Sequence, residues 1–500
     1  MRKSKKKFGP VTAILVTTLV VMIITSILSL MGFDGQKTII AATKLETYLV
    51  TVKNIFSLEG IKFLLTDSFS SFLTFKPVLY LVVSLITVGI MEASGLIKII
   101  ADKFKRLKFK YLTMLVMIIS LIFTFFGDYS FVLLIPIIAS VYKHIGRNPI
   151  LGIVTVFVSL TLGYGLGFMY NYNEYTLGKL TEIAARVEVD KTFSFTSLSN
   201  IYIMIASSII LIIFASTMID EKIAAKFKNP EIELEELNVS KVALQKAAMV
   251  FLLCILIVIY SIIPGSNYTG FLLDRNEVTY LGQLFGPNAI FGLGLPYIIM
   301  LIAMLCSYAY GKFSGNISGT FSYNEALSSS FSKMGYLFVL MFFISQLISI
   351  INWTNIGEVL TANILTFISS VEFSGVPLLF LIFIVVIFMS ILIPNVIDKW
   401  TLLSPVVVPL LMRSNITPNM TQFTVELADG AGKMLTPLFP YYIIMLGFIY
   451  KYKEKNEISL FETTRLLMPL TLAVTGIYLL IILCWFIIGL PLGIETFPSL

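Results

Sequence analysis

Runs of continuous apolar residues recur along the chain, separated by short polar stretches where Lys and Arg gather. Most runs are about 20 residues long, the length at which a helix spans roughly 30 Å of hydrocarbon. Barrel strands would instead alternate apolar and polar positions over about 10 residues. In lipid every backbone polar group must be paired internally, which leaves helices or closed barrels. The pattern therefore predicts an all-α polytopic membrane protein.

Taken in order, the runs give about nine transmembrane helices plus two re-entrant hairpins. Residues 1–76 hold a first span, about 11–33, and a polar external segment with room for an interfacial helix. A first repeat covers 77–219. Its span at about 77–100 ends in the basic cluster Asp102–Lys110, which marks the cytoplasmic side. Residues 111–143 are divided by Phe126-Gly-Asp-Tyr-Ser130 into two arms. Each arm is about 14 residues, or about 21 Å, too short to cross, so a hairpin fits. A span then runs from Gly146 to about Tyr170, residues 171–199 read as external, and 200–219 return. Residues 220–246, with their acidic stretch Pro230–Glu236, read as a cytoplasmic connector, and 247–332 as scaffold helices.

The second repeat covers 333–465. A span from Lys333 is interrupted at Asn352-Trp-Thr-Asn-Ile-Gly357. The apolar stretch 376–412 is broken at Ile393–Trp400 and reads as a hairpin entering from outside. A span after Thr417 ends inside at Lys451–Lys455, and 466–500 hold the last helix. Pro136 and Pro405, Pro149 and Pro418, and Gly163 and Gly432 are each 269 positions apart. Both halves thus read as hairpin, proline-bearing turn and glycine-broken helix. Because the first hairpin enters from the cytoplasm and the second from outside, the repeats are inverted. That is an architecture of secondary transporters, where helix breaks free polar backbone for an ion or solute.

Composition sharpens this. Hydrophobic residues make up 57% and charged residues 13%, against roughly 25% charged in soluble domains. The net charge of +7 sits at the ends of apolar runs, so it speaks for topology and not for nucleic acid. Cys254, Cys306 and Cys484 lie within apolar runs without metal spacing, and His144 is the only histidine. No cofactor is expected. The basic stretch Met1–Lys7 precedes a long apolar run with no small-residue cleavage site, which reads as an uncleaved span with a cytoplasmic N-terminus.

Polar residues within apolar runs are the candidate chemistry. A carboxylate there costs at least a few kcal/mol unless paired or protonated. Asp128, Glu174, Asp429 and Glu92 are the ion-coupling candidates, with H+ or Na+ as the ion. A Na+ site would lie near Asp128 and Asn395. Asn352, Trp353, Asn355, Asn395, Lys399, Trp400, Lys433 and Pro437 are the substrate-binding candidates. Each has a bland counterpart: a helix cap for Asp128, an interfacial Trp with caps at 352–355, an ion pair for Asp398 and Lys399. Asp429 and Lys433, one helical turn apart, suit an intramembrane pair. The glycines of Gly163-Tyr-Gly-Leu-Gly167 suit either an unwound segment or close helix packing.

From Ser57 to Gly493 the chain resembles the AbgT family, the p-aminobenzoyl-glutamate transporters. The resemblance rests on Met91–Leu96, Asp128 before an apolar run, Gly146–Gly152, Gln346 with Asn352–Gly357, Lys399-Trp400 with Pro405 and Pro409, and Asp429 through Tyr441. It implies a homodimer with nine spans and two hairpins, a pocket at the hairpin tips, and ion-coupled movement of folate-pathway aromatic acids or export of sulfonamide-type drugs. The departures fall at that pocket. Asn395-Val-Ile-Asp398 stands where the family has small residues, Glu174 where it has Asp, Glu426 where it has Arg, and Lys433 where it has a neutral polar residue.

The leading expectation is an ion-coupled transporter of a small aromatic or anionic solute in a bacterial cytoplasmic membrane. The alternative is a carrier of C4-dicarboxylates or short peptides on a related hairpin fold. A membrane enzyme would need a catalytic constellation that the lone His144 does not supply, and a channel would dissipate gradients without saturable coupled flux.

Overall fold

A computed structural model describes residues 9–41, 44–227, 237–265, 269–453 and 459–500. The stretches Met1–Lys7 and Pro230–Glu236 and the end of the Lys451–Lys455 cluster, all used above as topology markers, lie outside these residues. In chain order the elements are α1 (Pro10–Leu30), β1 (Asp34–Ala41), β2 (Lys44–Thr51), α2 (Leu58–Leu73), α3 (Lys76–Ala93), α4 (Leu96–Phe104), α5 (Phe109–Phe123), α6 (Tyr129–Ile145), α7 (Pro149–Leu162), α8 (Tyr172–Glu188) and α9 (Ile201–Met218). Then follow α10 (Lys241–Ile262), α11 (Tyr280–Phe285), α12 (Ile290–Ser314), α13 (Thr320–Ser329), α14 (Gly335–Trp353), α15 (Ile356–Ser370), α16 (Val376–Leu392), α17 (Val396–Arg413), α18 (Pro418–Lys433), α19 (Pro440–Tyr452) and α20 (Leu460–Ile488). Among the described residues eight helical stretches are long and apolar enough to cross a membrane. The chain is a helical, multi-pass membrane protein.

The segment 34–76 carries more order than its polarity suggests. β1 and β2 pair antiparallel from Asp34↔Thr51 to Ala41↔Lys44, and α2 follows. This hairpin is the one named sheet among the described residues. It packs on α15, where Lys37 Nζ reaches Glu358 at 2.9 Å and Asn363 Nδ2 donates to the Asp34 carbonyl at 2.7 Å.

The stretch 109–145 doubles back. α5 and α6 are separated by one tight turn and by Gly127 at φ +56°. Their far ends meet: the Arg147 guanidinium donates to the Leu107 carbonyl at 3.0 Å and lies 4.6 Å from the Phe109 ring. Entry and exit are thus on one side, although Phe109–Phe126 is by length alone a candidate crossing. α16 and α17 form the second such pair, with Asn395 capping α17 through the Ile397 amide at 3.0 Å.

The two pairs open at opposite ends of the molecule. The first opens beside Ser94–Lys110, where Lys98 Nζ holds the Leu237 carbonyl and Asn316 Nδ2 the Ser94 carbonyl. The second ends at Ser414–Thr417, where Thr417 Oγ1 donates to the Phe497 carbonyl at 2.8 Å. That end also carries the contact of Ile494 N with the Leu198 carbonyl.

Residues 171–199 are not an external loop. α8 lies against α17 and α18, with Thr181, Glu182, Ala184 and Ala185 buried. Its polar sequence hid this, because its buried groups are satisfied within the protein and not by water. α7 alone is about 21 Å long, so α7 and α8 make one discontinuous crossing, as do α18 and α19. α7 and α18 both open on a proline, at Pro149 and Pro418, behind side-chain caps from Asn148 and Thr417. A proline at the first position loses no helical hydrogen bond. α3 and α14 likewise both end at a left-handed residue, Gly95 and Asn355.

Candidate functional site

α18 runs through the middle of the protein with all its residues buried. It can do so because its packing faces are bare. A Cβ on Gly430 would stand 2.5 Å from the Thr161 carbonyl, and one on Gly432 2.5 Å from the Ile387 carbonyl. The helix therefore presses against the end of α7 on one side and α16 on the other. It stays helical through Lys433, and the chain unwinds only over 434–439.

This packing assembles a charged cluster. Asp429, Lys399 and Lys433 are all essentially inaccessible to solvent. Lys399 Nζ donates to Asp429 Oδ1 and to Ser390 Oγ, and Ser390 Oγ donates to the same carboxylate oxygen at 2.9 Å. Lys433 Nζ lies 2.6 Å from Asp429 Oδ2. It also sits 3.6 Å from the Tyr164 ring centroid and 5.3 Å from that of Phe439, a cation over aromatic faces. One carboxylate thus faces two ammonium groups. Lys399 comes from the second hairpin, Asp429 and Lys433 from α18, and Tyr164 from the break after α7.

Asp128, at the tip of the first hairpin, approaches from the other side. Tyr441 is its hydrogen-bonding neighbour and Lys433 its strongest cationic one. Asp128 lines a cavity with Thr124, Tyr164, Gly165, Asn173 and Glu174. The cavity measures about 20 Å³, room for roughly one water. Asn173 Nδ2 donates to Tyr164 Oη at 2.9 Å, and Asn171 caps α8 through the amides of Asn173 and Glu174.

The structure brings Asp128, Glu174, Lys399, Asp429 and Lys433 into one neighbourhood. Trp400 lies beside it, buried, with Nε1 donating to Thr181 Oγ1 at 2.9 Å. Pro437 lies in the break after α18, where Thr436 Oγ1 ties the chain to the Ile391 carbonyl at 2.8 Å. Asn395 is exposed and occupied as the cap of α17. Asn352, Trp353 and Asn355 lie at the α14–α15 junction and face elsewhere. The Trp353 ring stacks on Phe63 at 5.2 Å with Lys53 over it, and Asn355 Nδ2 reaches the Thr51 carbonyl at 3.5 Å. Glu92 faces the base of the first hairpin, 3.6 Å from Lys143 Nζ. No group of three or more His, Cys, Asp or Glu able to hold a metal ion occurs among the described residues. Ser390, Tyr164 and Tyr441 enter the site without having been singled out; a lone Ser or Tyr in an apolar run carries no signal by itself.

The family named "AbgT putative transporter family" matches residues 5–500. The chain belongs to the AbgT family. An AbgT relative from Escherichia coli (strain K12), a p-aminobenzoyl-glutamate transport protein, is 24% identical over 489 residues, 96% of this chain and 92% of that one. Two solved structures share the fold. The YdaH transporter of Alcanivorax borkumensis has a TM-score of 0.52 at 22% identity, covering 97% of this chain and 100% of that one. MtrF of Neisseria gonorrhoeae, of a class of antimetabolite efflux pumps, has a TM-score of 0.51 at 22% identity, covering 99% and 98%. Membership in AbgT makes this a membrane transporter; at these identities the structural likeness speaks for fold alone.

Proposed function

We propose that the protein is an ion-coupled secondary transporter of a small anionic solute of the kind in which an amino acid is N-acylated by an aromatic acid, with p-aminobenzoyl-glutamate as the first compound to test. The observation that carries this is the Lys399–Asp429–Lys433 cluster, placed where a hairpin tip and two helix breaks meet. A lone buried ion pair would be satisfied. Here two ammonium groups face one directly paired carboxylate, with Asp128 the next carboxylate near Lys433, so a solute carboxylate would compete with Asp128 for that ammonium group. Tyr164, Phe439 and Trp400 supply aromatic faces around it.

The cavity beside Asp128 is far smaller than such a solute, so binding requires movement. The two hairpins are the elements suited to it, since each opens at a different end and meets the site only at its tip. The seven elements from α3 to α9 recur in order from α14 to α20, which supports an inverted repeat with alternating access. A homodimer, a cytoplasmic membrane location and the use of H+ or Na+ belong to the same reading. Asp128 and Glu174, which have no direct ion pair among those described, are better placed to exchange an ion than Asp429, which is held by two lysines.

Reconstituted liposomes are the test. Saturable flux of p-aminobenzoyl-glutamate that responds to a Na+ or pH gradient is expected, with weaker flux of a sulfonamide or a C4-dicarboxylate. Flux indifferent to both gradients overturns the coupling, and preference for the C4 acid overturns the substrate class.

A further inference from the structure

Beside the lysine cluster lie two carboxyl groups with no cation of their own. Glu174 is in the first turn of α8 and 4% exposed; Glu426 is midway along α18 and 1% exposed. They come from opposite halves of the chain, and both lie beside the bare backbone of Gly165. A Cβ on Gly165 would stand 2.5 Å from Glu426 Oε2, while Gly165 and Glu174 line the same water-sized cavity.

Glu426 is tied into a chain of hydrogen bonds, and Glu174 is not. Gln422 Nε2 donates to Glu426 Oε1 at 2.9 Å. The Gln422 oxygen accepts from Thr181 Oγ1 at 2.6 Å, and that hydroxyl accepts from Trp400 Nε1. Thr181 Oγ1 also has the Leu177 carbonyl as an acceptor at 2.9 Å, so the Gln422 amide can donate to a charged Glu426 or, turned over, accept from a protonated one. Glu174 has its amide capped by Asn171, but its carboxyl has no hydrogen bond or ion pair among those described, though it faces the cavity. The other titratable groups near the pair are Tyr164, Tyr170, Glu182, Asp128, Asp429 and Lys433. The one cation among them, Lys433, is committed to Asp429.

Two buried carboxylates without a counter-ion each carry a desolvation cost of several kcal/mol, and they repel one another. One proton held by the pair removes a charge and with it the repulsion. We propose that Glu174 and Glu426 form a proton-binding site, sharing one proton in this closed conformation. The proton is taken from water on one side and released to water on the other when the cavity opens. The coupling ion of the transport cycle is then H+. This rests on the ion-coupled reading above.

Infrared difference spectroscopy on the purified full-length protein tests it without transport. A protonated-carboxyl carbonyl band is expected at neutral pH. It should disappear or shift in both Glu174→Gln and Glu426→Gln, and persist in Asp128→Asn. No such band in the wild type, or a band unmoved by either Gln substitution, overturns the site. If a variant misfolds, absence of the band from the wild-type protein still overturns the site. In liposomes, one-proton coupling supports up to about tenfold accumulation of p-aminobenzoyl-glutamate per pH unit of gradient, and either Gln variant should abolish it. Accumulation that follows Na+ and ignores pH removes this inference and leaves ion coupling intact. Indifference to both gradients removes the coupled reading, and this inference with it.

Discussion

Asp429 holds two ammonium groups with no access to solvent, so its removal and the removal of either lysine are unequal events. Without Asp429, Lys399 and Lys433 are left buried and mutually repulsive. Without Lys433, Asp429 keeps Lys399 and Ser390. Breaking a buried pair by deleting one partner costs about 3–5 kcal/mol. Asp429→Asn is therefore expected to lower the melting midpoint in detergent substantially, and Lys433→Met much less. Equal losses would mean that Lys399 does not hold Asp429 by itself. Part of this was legible in the chain: Asp429 and Lys433 stand one helical turn apart, and that spacing alone predicts their pairing. The third member was not. Lys399 lies beside Asp398, and the sequence leaves open whether it pairs there or elsewhere; in the fold Asp398 is exposed while Lys399 turns inward to α18. Glu426 stands out in the sequence only as a departure from the family's Arg, and Glu174 is more than 250 positions away. Nothing in local pattern joins residues across two halves of a chain.

At the scale of elements, the apolar runs mark the lipid-facing helices and also the wholly buried α7 and α18, and miss the polar helix α8. α8 was read as a loop because its polar residues face partners such as Gln422 and Trp400. The β1–β2 hairpin was missed because it is short and mostly exposed. The broken segments were found, since Pro, Gly and Asn inside apolar runs are costly unless a break is wanted. The break at Asn355 also touches the second hairpin: a Cβ on Gly357 would lie 3.1 Å from Ile393 Cδ1. A disulfide between Gly357→Cys and Ile393→Cys, with Cys254, Cys306 and Cys484 replaced by Ala, would pin that tip to the α14–α15 junction. If the hairpin gates access, oxidation should stop transport and a reductant should restore it. Undiminished flux with the crosslink formed would assign gating to other elements.

At the scale of the whole molecule, one polar end gathers Lys and Arg, which bears on how it sits in the membrane. One end carries Lys103, Lys105, Arg106, Lys108 and Lys110 beside the base of the first hairpin, with Lys143 and Arg147 closing it. The turn after α12 joins the same end, since Asn316 bonds the carbonyls of Ser94 and Asn238. The segment between α10 and α12 lies at the opposite end, because α10 starts beside Tyr310 and runs away from it. Lys and Arg are retained in short cytoplasmic loops, so the Lys-rich end should face the cytoplasm, and the first hairpin should open inward. Ser318 is exposed just past Asn316, and Val278 is 95% exposed between α10 and α12. In a cysteine-free background, a membrane-impermeant maleimide should label Val278→Cys in intact cells. It should label Ser318→Cys only after permeabilisation. The reverse pattern would invert the protein. The hairpin carrying Asp128 would then open outward, and the Glu174–Glu426 site would exchange its proton with each compartment through the opposite gate.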